Sequence, residues 1–531
     1  MAERLDRKDL LARLARAKAD APWDLAVIGG GATGLGVALD AVARGFTVVL
    51  LEAEDFAKGT SSRATKLVHG GVRYLAQGDI GLVREALHER SVLLANAPHL
   101  AQRLAFVVPA YSLWEQPFYG IGLKLYDALA GARGLGATEW LSARRTLELL
   151  PGVRRQGLSG GIRYWDGQFD DARLALALAR TAAARGALLI NHAPVVALLR
   201  QGGRVEGLLV QDAESGARHE VRARCIVNAT GVWVDSLREM DHEGDAPAPR
   251  PIVSPSQGVH LVVDRAFLPG THGLMVPKTG DGRVLFAVPW LGKTILGTTD
   301  TPREDIVREP APFAAEVDFI LGEAGRYLAR APTRADVRSV WVGLRPLVKP
   351  SGDDGDATKS ISREHTVIVG RSGLVTVTGG KWTTYRAMAE DVLERAMAQG
   401  LLPRRAAEAT TRLALVGAAP GRPLAEPPGE HGYGSEVALL RTLPGAQRWL
   451  WRDAESGQGG LSEAMVRFAA RHEMARTVED VLARRCRLLF LDAAEAGRQA
   501  QAVATILSEE LGRAVDPAPL VTLAAQYAHA P

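Results

Sequence analysis

Apolar positions along the chain follow two periods, and the first fifty residues show both. Residues 24–28 (Asp-Leu-Ala-Val-Ile) form a short apolar run that reads as a buried strand, Gly34 to Arg44 reads as a helix, and Thr47 to Leu51 as a second strand. Strand, helix and strand within about 30 residues predict a βαβ unit with parallel strands. Ahead of it, residues 3–19 place Leu10, Leu14 and Ala17 at helical spacing among mixed charges, which predicts an amphipathic helix. Helices are also predicted at 83–95 and 171–185, the second with Asp170 and Asp171 where a cap belongs and Gly186 where a helix stops.

The pattern then changes. Val195–Arg200, Arg204–Asp212, His219–Arg222 and Cys225–Ala229 are short apolar or alternating runs separated by Gln201-Gly202-Gly203 and Ser215-Gly216, which predicts a β-meander. Residues 241–256 are proline-rich and read as an excursion. Strands return over 257–300, with a hairpin signal at Gly280-Asp281-Gly282, and a polar loop follows at 351–358. Two more strands at 366–378 lead through Gly379-Gly380 into a helix from Thr383. Residues 401–432, rich in Pro, Gly and Ala, read as a linker to a separate helical domain over 433–531.

Composition narrows the class. The chain has 531 residues, 47% hydrophobic and 23% charged, which excludes disorder and fibrous architectures. Sixty-four basic residues against 60 acidic ones are nearly balanced, which is no nucleic-acid signature, and no nucleic-acid partner is expected. Only Cys225 and Cys486 occur, which argues against a disulfide framework, an iron–sulfur cluster or a cysteine zinc site, and no metal is expected. No apolar run is long enough for a spanning helix and no secretory signal is visible, which leaves peripheral membrane binding open.

Glycine is in excess, at 56 residues. Gly29-Gly30-Gly31-Ala32-Thr33-Gly34 matches G-x-G-x-x-G, a pattern that chance alone supplies roughly 0.6 times in a chain this rich in glycine. Its context carries the weight. The glycines follow a predicted strand, open a predicted helix, and precede Glu52 at the end of the next strand. Such a turn brings backbone close to a pyrophosphate, the helix start offers free N–H groups, and the acid suits a ribose hydroxyl. Asn228-Ala229-Thr230-Gly231 and Val377 to Arg386 are further strand-to-glycine turns, and they favour FAD over NAD because the longer cofactor needs contacts from distant chain.

Directly after the second strand comes Thr60-Ser61-Ser62-Arg63-Ala64-Thr65-Lys66-Leu67-Val68-His69-Gly70-Gly71-Val72-Arg73-Tyr74. Its hydroxyls and its Lys66, His69 and Arg73 belong at the carboxyl edge of the sheet, where such folds bind ligand. With Arg345 and Lys381 they make a cation set suited to a phosphorylated substrate. Gly157-Leu158-Ser159-Gly160-Gly161 fits a nucleophile-elbow pattern but lacks the strand and helix that chemistry needs.

These motifs, with Leu296-Gly297-Thr298-Thr299-Asp300, Gly343-Leu344-Arg345-Pro346-Leu347 and Val481-Leu482-Ala483-Arg484-Arg485, make the chain resemble the FAD-dependent, quinone-reducing glycerol-3-phosphate dehydrogenase family over nearly its whole length. The resemblance implies an α/β fold. It comprises an FAD-binding Rossmann-like domain of the D-amino-acid-oxidase and glutathione-reductase type, an antiparallel-sheet substrate domain and a C-terminal helical domain. The implied partition is an N-terminal helix at 1–22 and an FAD domain at 23–85, 171–236 and 359–400. A substrate domain at 86–170 and 237–358, the linker at 401–432 and a helical domain at 433–531 complete it.

The resemblance also implies oxidation of sn-glycerol 3-phosphate to dihydroxyacetone phosphate by hydride transfer to FAD, with electrons passing to a membrane quinone; an oxidase of the same substrate using O2 is the alternative. The implied catalytic residues are His260, Arg345 and Lys381, with His69 as the alternative base. Substrate contacts fall to Arg73, Tyr74, His69 and Thr298. Cofactor contacts fall to Gly29, Gly30, Gly31, Thr33, Gly34, Glu52, Thr60, Ser61, Ser62, Lys66, His69, Gly70, Gly71, Val195, Thr230, Gly231, Gly379, Gly380, Lys381 and Thr383. A cytoplasmic protein docked on the inner face of the cell membrane is expected, and a homodimer is compatible with the sequence. The docking candidates are the N-terminal helix and residues 114–131, where Trp114, Phe118, Tyr119, Leu123 and Tyr126 accompany Lys124.

Overall fold

The computed structural model describes residues 5–15, 21–71, 79–112, 114–242, 248–349, 365–407, 409–454 and 457–531. Two sheets organise them. The first runs His365–Val369, Val375–Gly379, Arg218–Asn228, Trp23–Ile28, Val48–Leu51, Leu188–Ile190, and every neighbouring pair but the first is parallel. Strands covered on both faces must be apolar throughout, which is why Leu25, Ala26 and Val27, and Val48 to Leu51, form unbroken runs with almost no exposure. The glycine turn opens the helix Ala32–Ala43, whose Leu35, Val37, Ala38 and Leu39 are buried where it packs between the helices Asp171–Ala184 and Tyr385–Ala398.

The meander Val195–Gln201, Arg204–Gln211, Arg218–Asn228 hangs from this sheet; the two runs around residue 220 are one continuous strand. The second sheet has ten strands and is antiparallel but for one pair. Val253–Asp264 lies between Val337–Val348 and Lys293–Gly297, while Ala101–Ala110 pairs along its full length with Gly160–Phe169.

Residues 437–528 are mainly helical, with Glu463–His472, Ala493–Leu511 and Ala518–Ala528 the long elements. They pack against the second sheet. Phe468, Leu488, Leu489 and Phe490 share one apolar core with Phe106, Tyr164, Trp290 and Trp341 of the second sheet. The expected linker at 401–432 is irregular but packed, with Leu402, Leu415 and Leu424 buried and Leu415 N–H bonded to Asn96 O. The N-terminal helix Arg7–Ala15 also lies on the body: Leu10 and Leu14 are buried, and Arg7 donates to Asp212 and to Asn191 O.

Candidate active site

Three strands of the parallel sheet end side by side, and each ends in a glycine turn. After Ile28 the chain turns at Gly29, whose φ of +109° and whose distance of 2.6 Å between a built Cβ and Ala229 O admit no side chain. Gly30 and Gly31 then lead into the first turn of the helix, where Thr33 and Gly34 sit. Beside them Glu52 accepts from Gly30 N–H at 2.6 Å and from Glu54 N–H at 2.8 Å. Burial pushes the Glu52 carboxyl up to about 7, against the pull of the Gly30 N–H. Ser61 Oγ accepts from Ala32 N–H at the helix start.

Side-chain bonds stitch remote segments onto this edge. Thr60 donates to Leu344 O at 2.5 Å and Trp382 Nε1 to Ser61 O at 2.9 Å. Thr383 donates to His69 O and Thr378 to Gly231 O. Segments 60–71, 228–231 and 378–383 are thereby brought together, with Thr230 bonded to Asn228 and Lys381 leading into the short turn Trp382–Thr384. Gly70 N–H donates to the buried Tyr126 hydroxyl, and Gly71, Gly379 and Gly380 all take positive φ. Val195 is half-buried opposite Val210. A helix start facing the edge, a carboxylate on the neighbouring strand and backbone turns open along it fit a dinucleotide cofactor.

The second half of the site comes from the antiparallel sheet. Residues of like parity face one side, and the register sets His260 opposite Trp341, Gly258 opposite Gly343 and Ser256 opposite Arg345. His260, 2% exposed, stacks on Trp341 with ring centroids 4.1 Å apart. Its Nε2 lies 2.9 Å from Thr65 Oγ1. A Cβ on Gly258 would come within 2.3 Å of Arg345 Nη2, so that glycine makes the seat for the guanidinium. Arg345 donates to Asp300 at 3.1 Å, to Thr299 O at 3.0 Å and to Thr298 Oγ1 at 3.3 Å, and Ser256 bonds the same Asp300. Burial first, and then the charges of Lys66 and Arg345, hold the His260 imidazole well below the usual histidine range, so it is neutral at neutral pH.

One expected cation stands elsewhere. The Lys66 side chain is wholly buried and donates to Asp171 and to Ser62 O, each at 2.7 Å. Its ammonium faces the core, not a ligand, because the left-handed backbone at Lys66 (φ +65°) turns the side chain under the site. Ser62 is buried with its carbonyl taken by Lys66 and Arg487. Arg73 and Tyr74 lie outside the described residues. Thr65 and Trp341 are site residues that motif reading passed over. Thr65 lies within the Thr60–Tyr74 segment, and Trp341 shares parity with Arg345. Asp55, His192 and Asp480 bring ligand atoms within 4.8 Å of one another, but Arg484 and Arg485 already bond Asp55, and Arg484 also bonds Asp480.

Fold and site together define an FAD-dependent oxidoreductase. The profile of the FAD dependent oxidoreductase family matches residues 24–386, and that of the C-terminal domain of alpha-glycerophosphate oxidase matches residues 430–516. The mitochondrial glycerol-3-phosphate dehydrogenase of Arabidopsis thaliana is 41% identical over 94% of this chain and 84% of its own length. The Homo sapiens enzyme of the same name is 42% identical over 92% and 70%. The crystal structure of the Bacillus halodurans glycerol-3-phosphate dehydrogenase complexed with FAD superposes with a TM-score of 0.76 at 28% identity, covering 99% of this chain and 98% of that one. The chain belongs to the FAD-dependent glycerol-3-phosphate dehydrogenase family.

Proposed function

We propose that the protein oxidises the C2 hydroxyl of sn-glycerol 3-phosphate to dihydroxyacetone phosphate and delivers the electrons to a membrane quinone. The observation that carries the chemistry is a neutral, buried imidazole beside a fixed guanidinium, His260 and Arg345. FAD, held along Gly29–Gly34, Glu52, Thr60–Ser62, Thr230–Gly231 and Gly379–Thr383, supplies the hydride acceptor. His260 takes the C2 hydroxyl proton at Nε2, the nitrogen beside Thr65, as the C2–H bond breaks. Arg345, pinned by Asp300, polarises the same oxygen. Thr298 lines that seat, and Arg73, Tyr74, His69 and Lys381 serve the phosphate end.

A quinone stays in the bilayer, so its reductase has to touch lipid, and no helix among the described residues is long and apolar enough to cross. The helix Glu115–Ala130 supports docking on a membrane surface. Trp114, Phe118, Ile121 and Leu125 are 51–68% exposed on it, and Trp140 stands beside them with Lys124 over its ring. Leu123 and Tyr126 do not belong to that face; both are buried in the body. Nor does the N-terminal helix offer a free apolar face among its described residues, since Leu10 and Leu14 are buried and Leu11 packs partly against the body.

The test is anaerobic. Glycerol 3-phosphate should bleach the flavin of the purified holoenzyme while lactate and amino acids do not. Bleaching that is followed by rapid peroxide formation in air, with no quinone reduction, would replace the dehydrogenase with the oxidase. Flotation with anionic liposomes should fail in Phe118→Ser/Ile121→Ser; equal flotation of this variant and the native protein would remove the helix from the docking surface.

A further inference from the structure

Lys66 is a fully buried charge beside the site that the proposed reaction does not use. Three sets of contacts fix it. Its ammonium bonds Asp171 and Ser62 O. It lies 4.5 Å from the Trp341 ring centroid, with Trp290 and Phe490 at 5.1 and 5.4 Å. From the helical layer Arg487 reaches in to bond the other Asp171 oxygen and Ser62 O. Trp341 in turn stacks on His260 with the planes 16° apart. The next residue back, Thr65, bonds the edge of the same imidazole.

We propose that Lys66 is a positioning residue for His260, acting through Trp341 and through its charge, while the adjacent Thr65 fixes the edge of the ring. The inference rests on His260 being the base. Two consecutive residues thus grip one imidazole by different means, one by a hydrogen bond and one through an aromatic face. The backbone at Lys66 is left-handed, and the two side chains reach different partners. A core ion pair alone would need neither the tryptophan that lysine and histidine both contact nor the hydroxyl contact beside it.

The charges that bear on each partner are few. Asp171, Asp170 and Arg487 face Lys66, and Lys66 and Arg345 face His260. Burial pulls the Lys66 ammonium down to about 7, with Asp171 opposing. While it is charged, Lys66 disfavours a proton on His260, which keeps the ring in its accepting form. Its removal makes the imidazole easier to protonate in the resting enzyme. The base is then lost over part of the acid range in which the native enzyme still works.

The experiment follows flavin reduction by glycerol 3-phosphate across pH in the holoenzyme, comparing the native protein with Lys66→Met and with Lys66→Met/Asp171→Asn. The double variant also removes the carboxylate that Lys66 pairs with, leaving Arg487 to Asp170 and Ser62 O. The acid limb of the rate profile should move upward by about one pH unit, a roughly tenfold loss on the acid side that vanishes at high pH. A limb that stays in place in a Met variant retaining FAD overturns the proposal. So does failure of both Met variants to hold FAD, which would assign Lys66 to the fold alone. His260→Gln is run alongside. If it reduces flavin at the native rate, the base assignment itself fails; if it is slow while the Met variants match the native profile, only the role of Lys66 fails.

Discussion

At the edge of the parallel sheet the groups that would meet a cofactor are largely backbone: the turn at Gly29, the start of the helix Ala32–Ala43, the turn after Val375–Gly379. On the antiparallel sheet they are side chains, and His260, Trp341 and Arg345 meet only because one long strand pairs in register with another some eighty residues later. Each turn of the first kind is a short local motif, and Gly29 among them admits no added atom. The second is dispersed, and its members can be changed singly without unmaking the fold. Losses at the first region should therefore be losses of cofactor, and losses at the second losses of rate with cofactor retained.

The sharpest break is Gly29→Val. A β-branched residue cannot take φ of +109°, and its Cβ would strike Ala229 O, so the variant should purify without flavin colour. A yellow protein would show that the turn can rearrange. Next comes His260→Gln, which should keep its visible flavin spectrum yet be reduced by substrate about 10²–10⁴-fold more slowly. Arg345→Ala should also keep FAD and lose about 10²-fold in kcat/KM, because the substrate oxygen loses its cation and Asp300 its partner. Retention of FAD in both, checked by absorbance, holds the two regions apart; loss of FAD in either would merge them.

The smallest effect is a pH dependence of cofactor affinity. Glu52 in the cofactor-free protein titrates near 7, above its ordinary value, so below that pH it carries a proton. Ribose hydroxyls bind the ionised carboxylate better, and FAD binding must expel that proton on the acid side. Affinity should fall about tenfold from pH 8 to pH 6, and Glu52→Gln should flatten the trend. The sign for stability is fixed by the same shift: the raised carboxyl favours the cofactor-free fold at low pH, and that contribution fades as pH rises through 7. Fluorescence titration with FAD at the two pH values is the check.

The same contrast explains what the sequence revealed. Strand, glycine turn, helix and the acid Glu52 were all legible, since periodicity and spacing operate over about 30 residues. Arg345 and His260 were legible as motif members, but not their shared face, because register between distant strands leaves no local trace. Lys66 reads as a cation for ligand phosphate because charge is visible in a sequence and burial is not. The helix Glu115–Ala130 is apolar on two sides, so Leu123 and Tyr126 could not be separated from Phe118 and Ile121 without knowing which side meets the body. The helical layer read as a separate unit because its own pattern is complete; that Phe468 and Phe490 meet Trp290 and Trp341 is a fact about shape, not period.

The ion pairs that reach under the site from Arg484, Arg485 and Arg487 bear on how the chain is made. Asp55 and Asp171 lie in the first third of the sequence, and their arginine partners in the last tenth. A ribosome releases the strands, turns and hydroxyls of the active site long before it releases those guanidinium groups. Without those arginines Asp55 keeps only Asn191 and Asp171 keeps Lys66, and a buried carboxylate short of its cations is costly. The floor of the site is therefore complete only where the helices that carry these arginines pack beneath the two sheets.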